Sequence, residues 1–376
     1  MGSSPESLIY ANEPVDLASI DAVGFDLDHT LALYDDAAVN AMAAAATRRM
    51  LVDELGYPGA LSATTPVMEN PPAARTLAVE LDHGGVVKLD AGRRVLRARL
   101  GGRWLRGEEL GERYRETITD DAAYVVHSPF ELPVLWLLEE LESVSPPRHG
   151  SRGGRCDDVR RMLDRAHTDG TLKQRLREDL PRFVHGIDGI AGGLERWSGA
   201  GKRLFVVTNS EPDFASAVLD LAVGPAWRTI FHVVVTSARK PAFFRTASGA
   251  AERELRRTGS RSVMIEGGDA ARVEEILGLR GGRILFVGDN ARSDIRAARS
   301  HGWRTAQVVP ELAPIAGDGS DGWGAPLAHD GRPTWLARLV EEHADIACEH
   351  AGRLLELDPV TALEPAGRGR AHPESA

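Results

Sequence analysis

Four short polar clusters hold residue types that could do chemistry together. Clustered carboxylates repel one another unless a cation neutralises them, and all-oxygen ligands favour Mg²⁺. A carboxylate can attack phosphorus, and a second carboxyl can protonate the leaving oxygen and later activate water. A hydroxyl, an amide and an ammonium group can hold the phosphoryl oxygens meanwhile, so the set points to phosphoryl transfer. The clusters are Asp26-Leu27-Asp28-His29-Thr30, Thr208-Asn209-Ser210, Lys240-Pro241, and Gly288-Asp289 with Asp294.

Each cluster alone also has an ordinary structural interpretation. An Asp-x-Asp pair is common in turns, and Thr208-Asn209-Ser210 could simply cap a helix that begins near Pro212. Gly288-Asp289 could be a plain turn, and a single Lys-Pro indicates almost nothing. Their order, and the position of each after a predicted strand, favour the chemical interpretation.

The elements that must position these clusters follow from the apolar pattern. Residues 22–25 form a short apolar run that predicts a buried strand ending at Asp26. From about residue 200, strands and helices alternate, which predicts an α/β fold with a parallel sheet and helices on both faces. Ligands gather at the carboxyl ends of such strands, where all four clusters fall. The further strands are predicted at 203–207, 232–235, 263–265, 283–287 and 305–308, and the helices at 212–221, 270–277 and 293–300.

A long insertion separates the first strand from the rest of the sheet. About 175 residues are too many for a loop, so we expect a second domain there. Its predicted elements are a helix at 36–55, a β-hairpin within 79–105, a helix at 132–141, a loop at 145–154 and helices within 157–177. Amphipathic spacing predicts a closing helix at 335–357. The predicted divisions are a core of 1–34 and 198–355, an inserted domain of 35–197, and a disordered tail of 356–376.

Composition excludes several classes of protein. The 376 residues carry a formal charge of −10, which argues against a broad nucleic-acid surface. No apolar run approaches the roughly 18 residues of a membrane-spanning helix, and residues 1–20 lack a secretory signal. Only Cys156 and Cys348 are present, which does not suggest a disulfide scaffold or zinc site. We therefore expect a cytoplasmic protein with neither a nucleic-acid polymer nor a membrane as partner.

The four clusters resemble the four motifs of the haloacid-dehalogenase (HAD) phosphatase superfamily. The resemblance implies a HAD-like Rossmannoid sheet with a large inserted α+β cap domain. It also implies that Asp26 is the nucleophile and Asp28 the general acid and base. Mg²⁺ would be bound by Asp26, the Asp28 backbone carbonyl and Asp289, and Asp294 would hold these ligands in position without binding the ion directly. The phosphate-binding residues that it implies are Thr208, Asn209 and Lys240.

Longer strings are similar to the cytosolic purine 5′-nucleotidases of the IMP/GMP-preferring type. At the position of His29 that family usually has Tyr, and at the position of Ala242 it usually has a larger apolar residue. The likeness covers about residues 8–312. The similar strings are Gly24 to Ala32, Ala238 to Phe244, Gly302 to Thr305 and Val309 to Leu312.

The inserted region resembles the same family. Leu81 to Gly102 looks like its cap hairpin, and Phe130 falls where a ring stacks on the purine. Arg160, Asp164 and His167 have the spacing of one helical face. By itself, this spacing would indicate a solvent-exposed face on which Arg160 pairs with Asp164. The resemblance instead implies contact with the nucleotide. The implied substrate-binding residues are Phe130, His127, Arg160, Asp164, His167 and Lys173.

Two departures leave the choice of base open. His127 stands where the family usually has Asn, and Glu131 directly follows Phe130. The sequence predicts a Mg²⁺-dependent nucleoside 5′-monophosphate phosphohydrolase, and the resemblance further implies phosphotransfer to a nucleoside and a homo-oligomer. The alternatives are a HAD phosphatase acting on a modified nucleotide or another phosphomonoester, a nucleotide-binding regulator without turnover, and a structural or interaction protein.

Overall fold

The computed structural model describes residues 8–63, 74–81, 84–144, 152–245, 251–258, 262–313 and 322–365. The chain divides into two compact units. Unit 1 comprises Met1–Tyr34, Leu180–Ala313 and Leu339–Ala376, and unit 2 comprises Asp35–Asp179 and Pro314–Arg338. Among the described residues, we find no helix with the length and apolar character to cross a bilayer.

A nine-stranded sheet forms the centre of unit 1. Its inner strands are all parallel, and the strand at each edge is antiparallel to its neighbour. This confirms the predicted α/β class and its largely parallel sheet. The strands, in spatial order, are Ile9–Ala11, Ile346–Cys348, Arg304–Val308, Ile284–Gly288, Ala22–Phe25, Arg203–Val207, Phe231–Thr236, Ser262–Gly267 and Glu252–Thr258.

The strand Ala22–Phe25 lies in the interior of this sheet, and all four of its residues are buried. It pairs on one side with Arg203–Val207 and on the other with Ile284–Gly288. Gly24 is required here, because a Cβ atom at this position would lie 2.3 Å from the ring of Phe205. The continuous apolar run in the sequence follows from burial on both faces of the sheet.

Helices and short ladders complete the described part of unit 1. Two short antiparallel ladders lie outside the nine-stranded sheet. Val15–Asp16 pairs with Ala362–Leu363, and Ala32–Tyr34 pairs with Val184–Gly186. A π-helical turn, Ala291–Arg296, follows the strand Ile284–Gly288. The α-helices are Leu180–Phe183, Ile190–Gly199, Pro212–Ala222, Trp227–Ile230, Ala270–Leu277, Ala297–His301 and Ala351–Glu356, and Trp335–His343 begins in unit 2 and ends in unit 1.

The prediction of one closing helix over 335–357 is wrong. Two helices, Trp335–His343 and Ala351–Glu356, flank the strand Ile346–Cys348 instead. All three residues of that strand are buried, and it pairs in parallel with Arg304–Val308. Three buried residues are compatible with either element, so sheet pairing decided the outcome.

The predicted domain boundaries differ from the compact units. Residues 180–197 belong to unit 1 rather than to the insertion, because Val184–Gly186 pairs with Ala32–Tyr34. Pro314–Arg338 belongs to unit 2. The predicted disordered tail is structured as far as residue 365, because Ala362–Leu363 pairs with Val15–Asp16. Residues 366–376 lie outside the described residues.

Unit 2 contains a five-stranded antiparallel sheet, and its strands Val86–Leu89 and Val95–Leu100 form the predicted hairpin. The buried ammonium of Lys88 donates hydrogen bonds to the carbonyls of Trp323 and Gly324, at 2.9 and 3.3 Å. Of the loop predicted at 145–154, residues 145–151 lie outside the described residues. The helix Arg152–Thr168 begins within the remainder of that range. The strands in spatial order are Arg103–Trp104, Val95–Leu100, Val86–Leu89, Leu77–Glu80 and Ala123–Val125, beside a two-stranded ladder of Ala328–His329 and Arg332–Pro333. The helices are Asp36–Asp53, Gly107–Arg113, Leu132–Val144, Arg152–Thr168 and Thr171–Glu178.

Candidate active site

Three carboxylates meet at the carboxyl ends of two neighbouring strands in unit 1. Asp26 follows Ala22–Phe25 directly, and Asp289 follows Ile284–Gly288. Asp294 lies in the π-helical turn that comes next. One oxygen atom from each of the three buried side chains lies within 4.8 Å of the others. The structure thus brings together residues that the sequence separates by more than 260 positions.

The turn after Asp289 brings Asp294 back toward the strand end. The side-chain oxygen of Asn290 accepts hydrogen bonds from the backbone N–H groups of Arg292 and Ser293, at 3.0 and 2.9 Å. The backbone N–H of Asp294 donates to the carbonyl of Asn290 at 3.1 Å. Gly288 leaves room for this return, because a Cβ atom there would lie 2.6 Å from that of Asp294.

Lys240 places a single ammonium group among these carboxylates. Its Nζ lies 2.6 Å from Oδ1 of Asp26 and 2.7 Å from Oδ1 of Asp294, and its side chain is 2% exposed. Asn209 fixes the backbone here, because its Oδ1 accepts the N–H of Lys240 at 2.7 Å and its Nδ2 donates to the Lys240 carbonyl at 3.4 Å. We call Asp26, Asp289, Asp294 and Lys240 the acidic centre.

Burial governs the electrostatics of the acidic centre. Burial raises the pKa of Asp26 well above its usual range, Lys240 opposes that rise, and Asp294 and Asp289 add to it. Burial by itself lowers the pKa of Lys240, but Asp26 and Asp294 more than reverse this, so its pKa lies above the ordinary value and the group stays an ammonium. If all are ionised, three carboxylates and one ammonium leave two formal negative charges. This oxygen-only donor set fits a hard divalent cation such as Mg²⁺.

Two hydroxyl groups hold the carboxylate of Asp28 beside that cluster. Tyr34 donates a hydrogen bond to Oδ1 at 2.5 Å, and Ser210 donates to Oδ2 at 3.0 Å. The chain between them turns at His29, which has a φ of 58° and a ring 5.2 Å from that of Tyr34. Both oxygens of the Asp28 carboxylate are therefore held by protein hydroxyl groups, and Asp28 is not one of the three clustered carboxylates.

Thr208 is buried at the end of the adjacent strand, Arg203–Val207. Its backbone N–H donates to the Val235 carbonyl at 2.9 Å, and its Oγ1 accepts the N–H of Ser210 at 3.1 Å. Its own carbonyl accepts the N–H of Ala238 at 3.0 Å, which ties this loop to the one that carries Lys240. The structure thus gathers every predicted catalytic, metal-binding and phosphate-binding residue into unit 1.

A second polar group occupies unit 2. Phe130 lies in the short turn Pro129–Glu131, and its ring centroid is 5.6 Å from that of His167. Asn40 supports the turn by donating to the Pro129 carbonyl at 3.0 Å. Burial, with Lys173 adding to the effect, lowers the pKa of His167 to about 4, so its imidazole is neutral at pH 7.

The helix Arg152–Thr168 carries the other predicted members of this group. The guanidinium of Arg160 lies over the ring of Tyr124, 4.5 Å from its centroid. Burial raises the pKa of Asp164, and Arg160 opposes that rise. We call this set the unit 2 cluster; it consists of Tyr124, His127, Phe130, Glu131, Arg160, Asp164, His167 and Lys173.

Three residues of these two sites were given no role by sequence reasoning. Tyr34 and Ser210 hold Asp28, and Tyr124 contacts Arg160. Glu131 was singled out only for its bearing on the base, and its contact with the His127 N–H was not predicted. Ser210 sits inside a motif and could have been noticed there. The two tyrosines offered no signal, because a lone aromatic residue in a strand or turn more often belongs to the core.

The fold and the acidic centre define an α/β protein with a buried carboxylate and lysine pocket suited to a divalent cation. The model of the 5′ nucleotidase family matches residues 9–314. The chain belongs to this 5′ nucleotidase family.

Two mammalian relatives are similar to this chain over most of its length. The chain is 29% identical over 332 residues to human 5′-nucleotidase domain-containing protein 2, covering 81% of this chain and 63% of the relative. It is 29% identical over 345 residues to the Rattus norvegicus protein of the same name, covering 81% and 59%. The chain therefore spans less than two thirds of the length of these relatives. A crystal structure of a predicted phosphoglycolate phosphatase from Haemophilus somnus aligns over 77% of this chain and 85% of its own, with a TM-score of 0.36 and 14% identity, a similarity too weak to assign a fold or a function.

Proposed function

We propose that the protein hydrolyses nucleoside 5′-monophosphates, with Mg²⁺ as its cofactor and purine nucleotides such as IMP and GMP preferred. The observation that carries the proposal is the acidic centre, where Lys240 contacts both Asp26 and Asp294 and Asp289 completes the carboxylate group. Membership of the 5′ nucleotidase family supports the substrate class.

The residues that would hold Mg²⁺ are Asp26, the backbone carbonyl of Asp28 and Asp289, with Asp294 supporting them. One oxygen of Asp294 lies within 4.8 Å of an oxygen of Asp26 and of Asp289. A bound Mg²⁺ would neutralise the clustered carboxylates and the charge of the phosphoryl oxygens.

The chemistry runs through two carboxylates. An oxygen of Asp26 attacks phosphorus and the bond to the ester oxygen breaks, while Asp28 delivers a proton to the leaving nucleoside. Asp28 then takes a proton from water, the water oxygen attacks phosphorus, and phosphate leaves as Asp26 is regenerated. The hydroxyls of Tyr34 and Ser210 hold the Asp28 carboxyl for both transfers. A nucleoside hydroxyl in place of water would give phosphotransfer.

Thr208, Asn209 and Lys240 would bind the phosphoryl group. Lys240 supplies a permanent positive charge, since its pKa is raised by its two carboxylate neighbours. Asn209 already fixes the Lys240 backbone on both sides, and Thr208 joins the two loops. A phosphoryl pocket held this firmly needs little rearrangement during transfer.

The unit 2 cluster would recognise the nucleoside. Phe130 and His167 offer two neighbouring rings for a base, and the neutral imidazole suits a stacking role. Arg160 and Asp164 provide a donor and an acceptor for the edge of a purine, and His127 and Lys173 complete the predicted set. The family resemblance also suggests a homo-oligomer, which we include in the proposal.

A substrate panel tests this function. Phosphate release from IMP, GMP, AMP, UMP, ribose 5-phosphate and glucose 6-phosphate is measured with Mg²⁺ and again with EDTA. We expect the highest kcat/KM for the purine nucleotides and no turnover in EDTA. Faster turnover of the sugar phosphates would reject the nucleotide assignment, and undiminished activity in EDTA would reject the metal.

Glu131 motivates a second candidate, a phosphatase for a modified nucleotide or another phosphomonoester. This carboxyl lies in the turn that carries Phe130 and is close enough to Asp164 for the two charges to interact. A base with additional hydrogen-bond donors would suit two neighbouring carboxyl groups. A regulator without turnover is distinguished by nucleotide binding with no phosphate release.

A further inference from the structure

Tyr124 lies beneath the side chain of Arg160. It is carried by the strand Ala123–Val125, which pairs with Leu77–Glu80 in the sheet of unit 2. The guanidinium of Arg160 is 4.5 Å from the ring centroid, and this side chain is 42% exposed. A long, half-exposed side chain samples many rotamers, and stacking on a ring that a paired strand holds reduces that freedom.

Glu131 lies in the neighbouring turn, and burial and then the nearby Glu131 carboxyl raise the pKa of Tyr124, so these two side chains lie close together. Oε2 of Glu131 accepts the backbone N–H of His127 at 2.8 Å. The Ser128 side chain also accepts the backbone N–H of Phe130, at 3.4 Å. The carboxyl of Glu131 thus joins both ends of the segment that carries Phe130.

Glu131 itself already has a partner inside unit 2. It is half-buried, and burial raises its pKa even though the hydrogen bond from the His127 N–H and the neighbouring Tyr124 oppose that rise. The His127 N–H occupies Oε2, one of its two carboxyl oxygens. Its position therefore favours holding other groups over direct contact.

We propose that Tyr124 and Glu131 are positioning residues for nucleobase recognition: Tyr124 orients Arg160, and Glu131 links Tyr124 to the turn that presents Phe130. This inference rests on the proposed nucleotidase function, in which Arg160 and Phe130 meet the base. Preorganised contacts raise affinity because less side-chain freedom is lost on binding.

The test measures ligand affinity in full-length protein carrying Asp26→Asn, so that the nucleotide is not turned over. Tyr124→Phe keeps the ring under Arg160 and removes the hydroxyl, whereas Tyr124→Leu removes both. Calorimetric titration with IMP and GMP should give a Kd about 3-fold higher for Tyr124→Phe and about 10-fold higher for Tyr124→Leu. Glu131→Ala should weaken binding more than the conservative Glu131→Gln.

Two controls separate positioning from a general loss of structure. Ribose 5-phosphate lacks the base, so its Kd should stay within about 2-fold in every Tyr124 and Glu131 variant. Tyr57→Phe is the matched variant, because Tyr57 donates to a carboxylate on the Arg160 helix, that of Asp158 at 2.8 Å. This variant should bind IMP and GMP like the parent protein.

The outcomes are distinguishable. If the parent protein binds ribose 5-phosphate but neither IMP nor GMP, the proposed function fails and this inference fails with it. If the parent binds nucleotides and the Tyr124 variants leave their Kd unchanged, or weaken ribose 5-phosphate equally, the inference alone is overturned. Tyr124→Phe changes only one hydroxyl, so it decides the question even if Tyr124→Leu does not fold.

Discussion

The acidic centre of unit 1 and the unit 2 cluster manage buried polar groups in different ways. In the acidic centre, Lys240 stays charged and faces Asp26 and Asp294 at ion-pair distance. In the unit 2 cluster, His167 sheds its charge, and its imidazole lies beside the Phe130 ring. The acidic centre pairs a buried ammonium group with carboxylates, while the unit 2 cluster holds a buried imidazole in its neutral form.

This difference teaches how each site can be assembled. The acidic centre draws on strand ends that are remote in the chain, so only the completed sheet creates it. Arg160, Asp164 and His167 share one helix, so a local element already sets their spacing. We therefore expect substitutions in the acidic centre to have larger effects than those in the unit 2 cluster.

The largest effect is expected for Asp26→Asn. The amide cannot attack phosphorus, so kcat for IMP with Mg²⁺ should fall by roughly 10³-fold or more while the far-ultraviolet circular dichroism stays unchanged. Asp213→Asn, in the first turn of a helix in the same unit, is the matched control and should keep its activity. Near-normal turnover of Asp26→Asn would remove its assignment as nucleophile.

Lys240→Met tests whether the acidic centre depends on paired charge. Removing the ammonium leaves two buried carboxylates without their cation, so the free energy of unfolding in urea should fall by about 3–5 kcal/mol without Mg²⁺. Mg²⁺ should restore part of that loss. The control is Arg253→Met, which breaks a pair of 2.6 Å with Glu266 and is mostly exposed, and the expected change is below about 1 kcal/mol. Equal changes in the two variants would contradict the comparison.

Phe130→Ala probes the unit 2 cluster. If the ring stacks on a base, nucleotide binding should weaken by roughly 1–3 kcal/mol, measured as Kd in the Asp26→Asn protein. The Kd of ribose 5-phosphate should not change. An unchanged nucleotide Kd would reassign Phe130 to the core of unit 2.

The smallest effect concerns the titration of His167. Its pKa is lowered from 6.5 to about 4, so the folded protein binds this proton less tightly than the unfolded chain. The stability that this histidine contributes is complete above its ordinary pKa and is lost as pH falls from 6.5 toward 4. His167→Gln should flatten the pH dependence of the urea midpoint in that window. An imidazole that titrates near 6.5 by NMR would contradict the proposed environment.

Much of the interior of the fold was predictable from short apolar runs. The predicted strand at 203–207 and helix at 270–277 match the observed elements residue for residue. The edge strands Ile9–Ala11 and Glu252–Thr258 were missed, the first because it has only three residues. The second is rich in charged residues, as edge strands often are, so no apolar pattern marks it.

In the candidate site, too, contacts that depend on the folded sheet could not be predicted from the sequence. The order of motifs indicated that Asp26, Asp289 and Lys240 belong together, but nothing in a Lys-Pro dipeptide indicates which carboxylates it will face. The contact with Asp294 depends on the π-helical turn Ala291–Arg296, whereas the helical spacing at 293–300 predicted only a helix there. The stacking of Arg160 on Tyr124 likewise requires pairing between distant strands.

The interior position of Ala22–Phe25 has a consequence for biosynthesis. This segment is synthesised well before its two neighbours in the sheet, Arg203–Val207 and Ile284–Gly288. At about 5–20 residues per second, the first neighbour emerges roughly 10–35 s afterwards. During that interval the apolar segment lacks the two strands that pair with it, so chaperone supply should influence the yield of folded protein.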